Sequence, residues 1–146
     1  MGAYPNTYTF TKALSERMLM KNRGNLPVVI VRPSIIQGNY DDPFMGWTDT
    51  IAASGFQMMM VALGLLHFTH TKKDTVLDLI PCDFVSNQII VQTVYTAVRE
   101  GTNLNVVHVC TSDKNPLNML RMKAVVFDYL RHNPYYAKPI GNKVWW

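Results

Sequence analysis

The chain has 146 residues, of which 48% are hydrophobic and 16% charged, and a formal net charge of +4. That length suits one domain or part of one, and the composition excludes a disordered or fibrous chain. The basic residues are scattered (Arg17, Lys21, Arg23, Lys72, Lys73, Arg121, Lys123, Arg131), which argues against a nucleic-acid surface and leaves a mild attraction to phosphate-bearing ligands or anionic membranes.

Met1 to Pro5 has neither the basic nor the apolar stretch of a signal peptide. Asn6 can cap a helix from Thr7 to about Arg23, with Gly24 as its stop. Val28 to Arg32, ended by Pro33, is a β-branched run without alternation, the pattern of a parallel strand buried on both faces. A Gly/Pro/Asp-rich loop from Gln37 to Gly46 follows. Ile51 to Phe68 carries no charged residue. It approaches the ~20 residues of a membrane span, but its length and its Ser54, Gly55, Gln57 and Gly64 favour a buried or interface-facing helix. Val76 to Ile80 reads as a strand stopped by Pro81. Asp83 can cap a helix from Phe84 to about Arg99, stopped by Gly101. Val106 to Cys110 is a further strand, and Asn115-Pro116 opens a last helix to about His132. Helices alternating with buried strands predict an α/β fold. Three strands make a thin sheet, and the chain opens on a helix, so it reads as the second half of a larger domain.

Cys82 and Cys110 lie far apart, with no CxxC and no paired histidines. They are expected as buried free thiols of a reducing compartment, which argues against a zinc module or a disulfide framework. His67 and His70 have metal-compatible spacing but no further ligands nearby, so no metal site is assigned. His108, in an apolar strand, is expected to be a satisfied core histidine. Trp145 and Trp146 form an apolar pair that calls for a covering partner.

Tyr8 and Lys12 stand at i and i+4, one helical turn apart on one face. An ammonium beside a phenol favours the phenolate and so suits proton transfer to or from a carbonyl or alcohol oxygen. By itself this spacing is a weak signal. Its surroundings are specific: Tyr4 to Glu16 (YPNTYTFTKALSE) resembles the catalytic helix of fatty acyl-CoA reductases, extended short-chain dehydrogenase/reductases with a Rossmann domain. Four further segments follow in that family's order: Leu26 to Ile36, Pro43 to Trp47, Asp78 to Asn87 (DLIPCDFVSN), and Val109 to Ser112 with Asn115-Pro116.

The resemblance implies the second half of a Rossmann-type doubly wound parallel sheet, incomplete without an N-terminal half. It implies NADPH as cofactor and a fatty acyl-CoA as substrate, reduced through an aldehyde to a long-chain alcohol. Tyr8 would be the general acid, Lys12 would assist it and hold the nicotinamide ribose, and Pro33, Ser34 and Ile35 would lie against the nicotinamide. The mostly uncharged Gly46–Leu66 segment would border the acyl chain or simply pack the core through Met58, Met59 and Met60. An intracellular, membrane-associated location follows from the family (endoplasmic reticulum or peroxisome), or the mitochondrion within a larger assembly.

Several features depart from the family pattern. The glycine-rich turn that cradles the pyrophosphate has no counterpart, nor does the catalytic Ser or Thr of an earlier strand. Met45 replaces a proline, and Leu63 and His67 stand where Lys and Arg are usual. The chain alone is therefore expected to be inactive. The other half would lie on the same natural polypeptide or on a partner polypeptide, or else the chain is a catalytically silent structural subunit of a larger assembly.

Overall fold

The computed structural model describes residues 4–67, 70–99, 101 and 103–134. Along it run α1 (Thr7–Asn22), β1 (Val29–Pro33), β2 (Ile35–Gln37), α2 (Ala53–Ala62), β3 (Val76–Leu77), β4 (Leu79–Pro81), α3 (Cys82–Val98), β5 (Asn105–Val109), β6 (Leu117–Asn118) and α4 (Met119–His132). This is the expected mixed α/β order, part of a Rossmann-type fold. The strands form two-stranded sheets, β1 with β5, β2 with β4 and β3 with β6, in place of one continuous parallel sheet. Two compact units are present: Met1–Arg32 with Ser86–Val109, and Pro33–Val85 with Cys110–Trp146.

In the first unit α1 starts where Asn6, in extended backbone, accepts the Thr9 N–H on its side chain at 2.9 Å. It ends at Arg23, followed by Gly24 at φ +57°, a conformation that costs glycine nothing. Phe10, Ala13 and Glu16 are half-buried, and no α1 side chain is fully buried. Glu16 receives both Nε and a terminal nitrogen of Arg32, so a two-pronged ion pair ties helix to strand. That hydrogen bonding holds the Glu16 carboxyl below the usual carboxylate range against the opposing effect of burial. The β1 residues Val29, Ile30 and Val31 are only half-buried. Burial on both faces was expected of them, but a two-stranded sheet cannot cover both. On β5, half-buried and exposed residues alternate up to the buried Val109, and His108 falls on the exposed face. The period of two thus overrides its apolar neighbours, and it is not a core histidine.

In the second unit β2 and β4 pair in parallel, Ile35 opposite Leu79, Ile36 opposite Ile80 and Gln37 opposite Pro81. Ile80 is 2% exposed. The single strand expected over Val76–Ile80 is split at Asp78: β3 pairs antiparallel with β6 (Val76 with Asn118, Leu77 with Leu117), while β4 pairs with β2. The last helix begins later than Asn115-Pro116 suggests, because Leu117 and Asn118 are taken by that pairing. Asn118 is the cap, accepting the Arg121 N–H at 2.8 Å. Met119, Met122, Val126, Phe127 and Leu130 are the half-buried residues of α4, one stripe at helical spacing. α2 is shorter than Ile51–Phe68, since Gly64 adopts φ +69° just past its end. Among the described residues no helix is long and apolar enough to cross a membrane.

Cys82 and Cys110 are exposed and not joined in a disulfide, contrary to the expected burial. Cys82 opens α3 and Cys110 follows β5, each next to a buried neighbour, Asp83 and Val109. Trp145 and Trp146 lie outside the described residues.

Candidate functional site

Tyr8 and Lys12 stand together on the first turns of α1. Lys12 Nζ is 5.6 Å from the centre of the Tyr8 ring, within cation–π range. Tyr8 is 69% exposed, so its hydroxyl is open to a ligand rather than packed away. The backbone beneath is held by the Asn6 cap and by Thr11, whose hydroxyl donates to the Tyr8 carbonyl at 2.9 Å. Tyr4 meets Phe10 edge-on at 5.5 Å, which anchors the approach to the helix.

Pro33, Ser34 and Ile35 belong to the second unit, where β1 passes into β2. The expected site residues thus form two groups, one in each unit. Ile35 N–H donates to the Asp78 carbonyl at 3.1 Å. The Ser34 hydroxyl oxygen is buried and closes no hydrogen bond of ordinary geometry, and the same holds for Ser112. Both hydroxyls lie against the Asp78 carboxylate, which also accepts the Thr111 N–H at 3.4 Å. Burial pushes the Asp78 carboxyl up. The Ser112 hydroxyl, the Thr111 N–H, the Ser34 hydroxyl and the Ser112 N–H together outweigh it and hold the group below its ordinary value. Thr111 Oγ1 donates to the Leu79 carbonyl at 2.8 Å, so this turn is tied both to Asp78 and to the first residue of β4.

Asp83, at the start of α3, is 8% exposed. Its carboxylate gathers the N–H groups of Tyr40, Asp41 and Asp42 at 3.0–3.3 Å, and that of Phe84 at 3.1 Å. Burial raises this carboxyl, and the four N–H donors bring it below the usual range. The loop is closed on its other side by Asn39 and Trp47, joined N–H to carbonyl at 2.9 Å, and by Gly46 donating to Asn39 at 2.7 Å. Gly38 is required there for space: a Cβ would sit 2.9 Å from the Gly46 carbonyl oxygen and 3.2 Å from that of Trp47.

The sequence pattern made Asp83 the cap of a helix from Phe84, whereas α3 begins at Cys82 with Asp83 inside its first turn. The pattern did not identify Asp83 as the anchor of residues 40–42, nor the role of Asp78. The available signal was a pair of acids flanking the apolar Leu79-Ile80-Pro81, where an unpaired carboxylate would be costly.

A family model described as male sterility protein, one of the NAD-binding domains, matches residues 1–89, well over half the chain. The chain belongs to this family of NAD-binding domains. The match takes in Tyr8, Lys12, Pro33, Ser34, Ile35, Asp78 and Asp83. Fatty acyl-CoA reductase 2 of Mus musculus is 35% identical over 135 residues, 92% of this chain and 26% of the relative. The alcohol-forming fatty acyl-CoA reductase of Simmondsia chinensis is 33% identical over 132 residues, 90% of this chain and 27% of the relative. Fatty acyl-CoA reductase 2 of Homo sapiens is 33% identical over 142 residues, 95% and 28% of the respective chains. The chain therefore spans about a quarter of the length of these relatives.

The exposed Tyr8 hydroxyl and Lys12 ammonium of this family member are groups that suit the polar end of a nicotinamide cofactor. No Gly-x-x-Gly-x-x-Gly turn occurs in the sequence, so a pyrophosphate cradle of that kind is not among these residues.

Proposed function

We propose that this chain carries the acid/base pair of an NADPH-dependent reductase acting on long-chain acyl-CoA, and works with a polypeptide that supplies the glycine-rich half of the domain. The observation that carries this is the exposed Tyr8–Lys12 pair on one face of α1, inside the stretch that matches the family. When bound, the cofactor supplies hydride to the substrate's carbonyl carbon. Tyr8 Oη holds the proton that the carbonyl oxygen takes up as it gains negative charge. Lys12 lies where its charge favours the tyrosinate left behind, and its ammonium can donate to ribose hydroxyls. Pro33, Ser34 and Ile35, at the end of a strand where α/β sheets present their ligands, would lie against the nicotinamide.

The need for the rest of the domain is supported by the exposed apolar face of α3, with Ile90, Val91, Val94 and Val98 all open to solvent and Val98 73% exposed. Membrane association is part of the same proposal, and flotation with anionic vesicles tests it.

The decisive test is NADPH oxidation with palmitoyl-CoA, measured on the chain assembled with its complementary half. Tyr8→Phe is expected to lower kcat by about 10²–10⁴-fold while folding remains unchanged, since Tyr8 is largely exposed. Unaltered turnover in Tyr8→Phe would assign the chain a structural role instead.

A further inference from the structure

Asp78 stands at the break between β3 and β4, where the chain leaves its antiparallel partner β6 and takes up its parallel partner β2. It meets the turn from β1 to β2 at two points. Its carbonyl accepts the Ile35 N–H at 3.1 Å, and its carboxylate faces the buried hydroxyl of Ser34. The same carboxylate accepts the Thr111 N–H at 3.4 Å and faces the buried hydroxyl of Ser112, in the segment that follows β5. All of these residues belong to the second unit. We propose that Asp78 is a positioning residue for the nicotinamide: it joins residues 33–35 to residues 111–112 and so sets the surface on which the ring rests. This inference rests on the reductase function proposed above, under which Pro33, Ser34 and Ile35 would lie beside that ring.

The chemistry of the cluster favours a clamp. An ionised carboxylate accepts hydrogen bonds and donates none, and the groups that hold this one are all donors: two hydroxyls and two backbone N–H groups. No cation is among them. An asparagine of the same shape would turn its own N–H₂ toward one of those donors, so the contact depends on the charge state as well as the shape. The grip also falls on neighbouring residues, Ser34 through its side chain and Ile35 through its backbone. One contact would let the turn pivot, whereas two fix its orientation. The outer surface of the turn stays open meanwhile, with Pro33 exposed and Ile35 47% exposed. A ring resting there is placed by a turn whose inner side is tied to Asp78. Hydride transfer is sensitive to such placement, since a shift of about 1 Å can cost ~10²-fold in rate.

The test uses the chain assembled with its complementary half and compares two ligands, NADPH and 2′-phospho-ADP-ribose, which lacks the nicotinamide. In Asp78→Asn the affinity for NADPH, read from nicotinamide fluorescence, is expected to fall about tenfold. The affinity for the analogue, read by calorimetry, should stay the same. Turnover of palmitoyl-CoA should fall by about 10–10²-fold, with a larger primary isotope effect from NADPH deuterated at the transferred position. Ser34→Ala should give the same selective loss, and adding it to Asp78→Asn should bring little more, since both sever one contact. Equal effects on the two ligands, or no effect on either, would mean a purely structural carboxylate and overturn the inference. Full additivity of the two variants overturns it as well, because Ser34 would then act without Asp78. Should Asp78→Asn fail to fold, Ser112→Ala decides: it loosens the carboxylate without touching residues 33–35, and a selective loss of NADPH upholds the role while its absence removes it. The two proposals fail separately. Turnover that depends on Tyr8 with no selective effect in Asp78→Asn removes the positioning role alone. Selective loss of NADPH in that variant, without acyl-CoA turnover in the unaltered assembly, removes only the reductase assignment, and an unaltered assembly that does not bind NADPH removes both.

Discussion

Gly38 and Gly46 are both glycines of one loop, yet they are needed for different reasons. Gly46 adopts φ +73°, a backbone conformation that L side chains rarely accept. Gly38 has no such angle; its missing Cβ leaves room for the Gly46 and Trp47 carbonyls to approach. Those carbonyls belong to backbone and cannot swing aside. Gly38→Ala is therefore expected to cost about 1–3 kcal/mol, seen as a lower midpoint of urea unfolding at unchanged slope. Tyr8 contrasts with it, being legible from sequence through its spacing to Lys12 and exposed in the fold. Its loss should touch chemistry and spare stability. Asp78 was not legible, because what matters about it is the company of Ser34, Thr111 and Ser112, residues more than thirty positions away.

At the scale of elements, the helices follow their local signals closely and the strands do not. Asn6 caps α1 as its sequence predicts, since a cap needs only a side-chain oxygen within reach of the third N–H. α4 obeys the same chemistry three residues later than expected, at Asn118. Asn118→Ala is expected to cost about 0.5–2 kcal/mol and to fray the first turn of α4, measured by hydrogen exchange over residues 119–122. The N-terminus of α3 depends on charge. Asp83 is held below its ordinary value when folded, so its contribution is complete above that value, near pH 4. It is lost as pH falls through the lower folded value. Thermal unfolding should show the melting temperature dropping below about pH 4. Asp83→Asn should flatten that drop and lower the melting temperature at neutral pH. The residual slope in the variant belongs to Glu16 and Asp78, which shift in the same direction.

For the whole molecule, the apolar residues outnumber what the described structure buries. Ile80, Val85 and Val109 are its buried hydrophobic core, while Val91, Val94 and Val98 on α3 and Met18 and Met20 on α1 remain exposed. Each such side chain kept from water is worth roughly 1.5–3 kcal/mol, so a covering polypeptide has much to stabilise. The purified chain should bind the dye ANS and self-associate as its concentration rises. Co-expression with a polypeptide carrying the glycine-rich half should suppress both, read by dye fluorescence and sedimentation. Persistence of dye binding in a tight complex would mean that the partner covers some other face.

Sequence alone determined the helices, the α/β class and the Tyr8–Lys12 pair, because capping, periodicity and i to i+4 spacing act within a few residues of chain. It also carried the family membership through short ordered motifs. Tertiary structure decided what depends on partners distant in sequence. It split Val76–Ile80 between two sheets at Asp78, drew residues 40–42 onto the Asp83 carboxylate, and opened a groove between α2 and α4. It turned His108 and both cysteines outward. An apolar run announces that a segment will be buried, but the surface that buries it, and the face left uncovered, are properties of the neighbours that folding brings beside it.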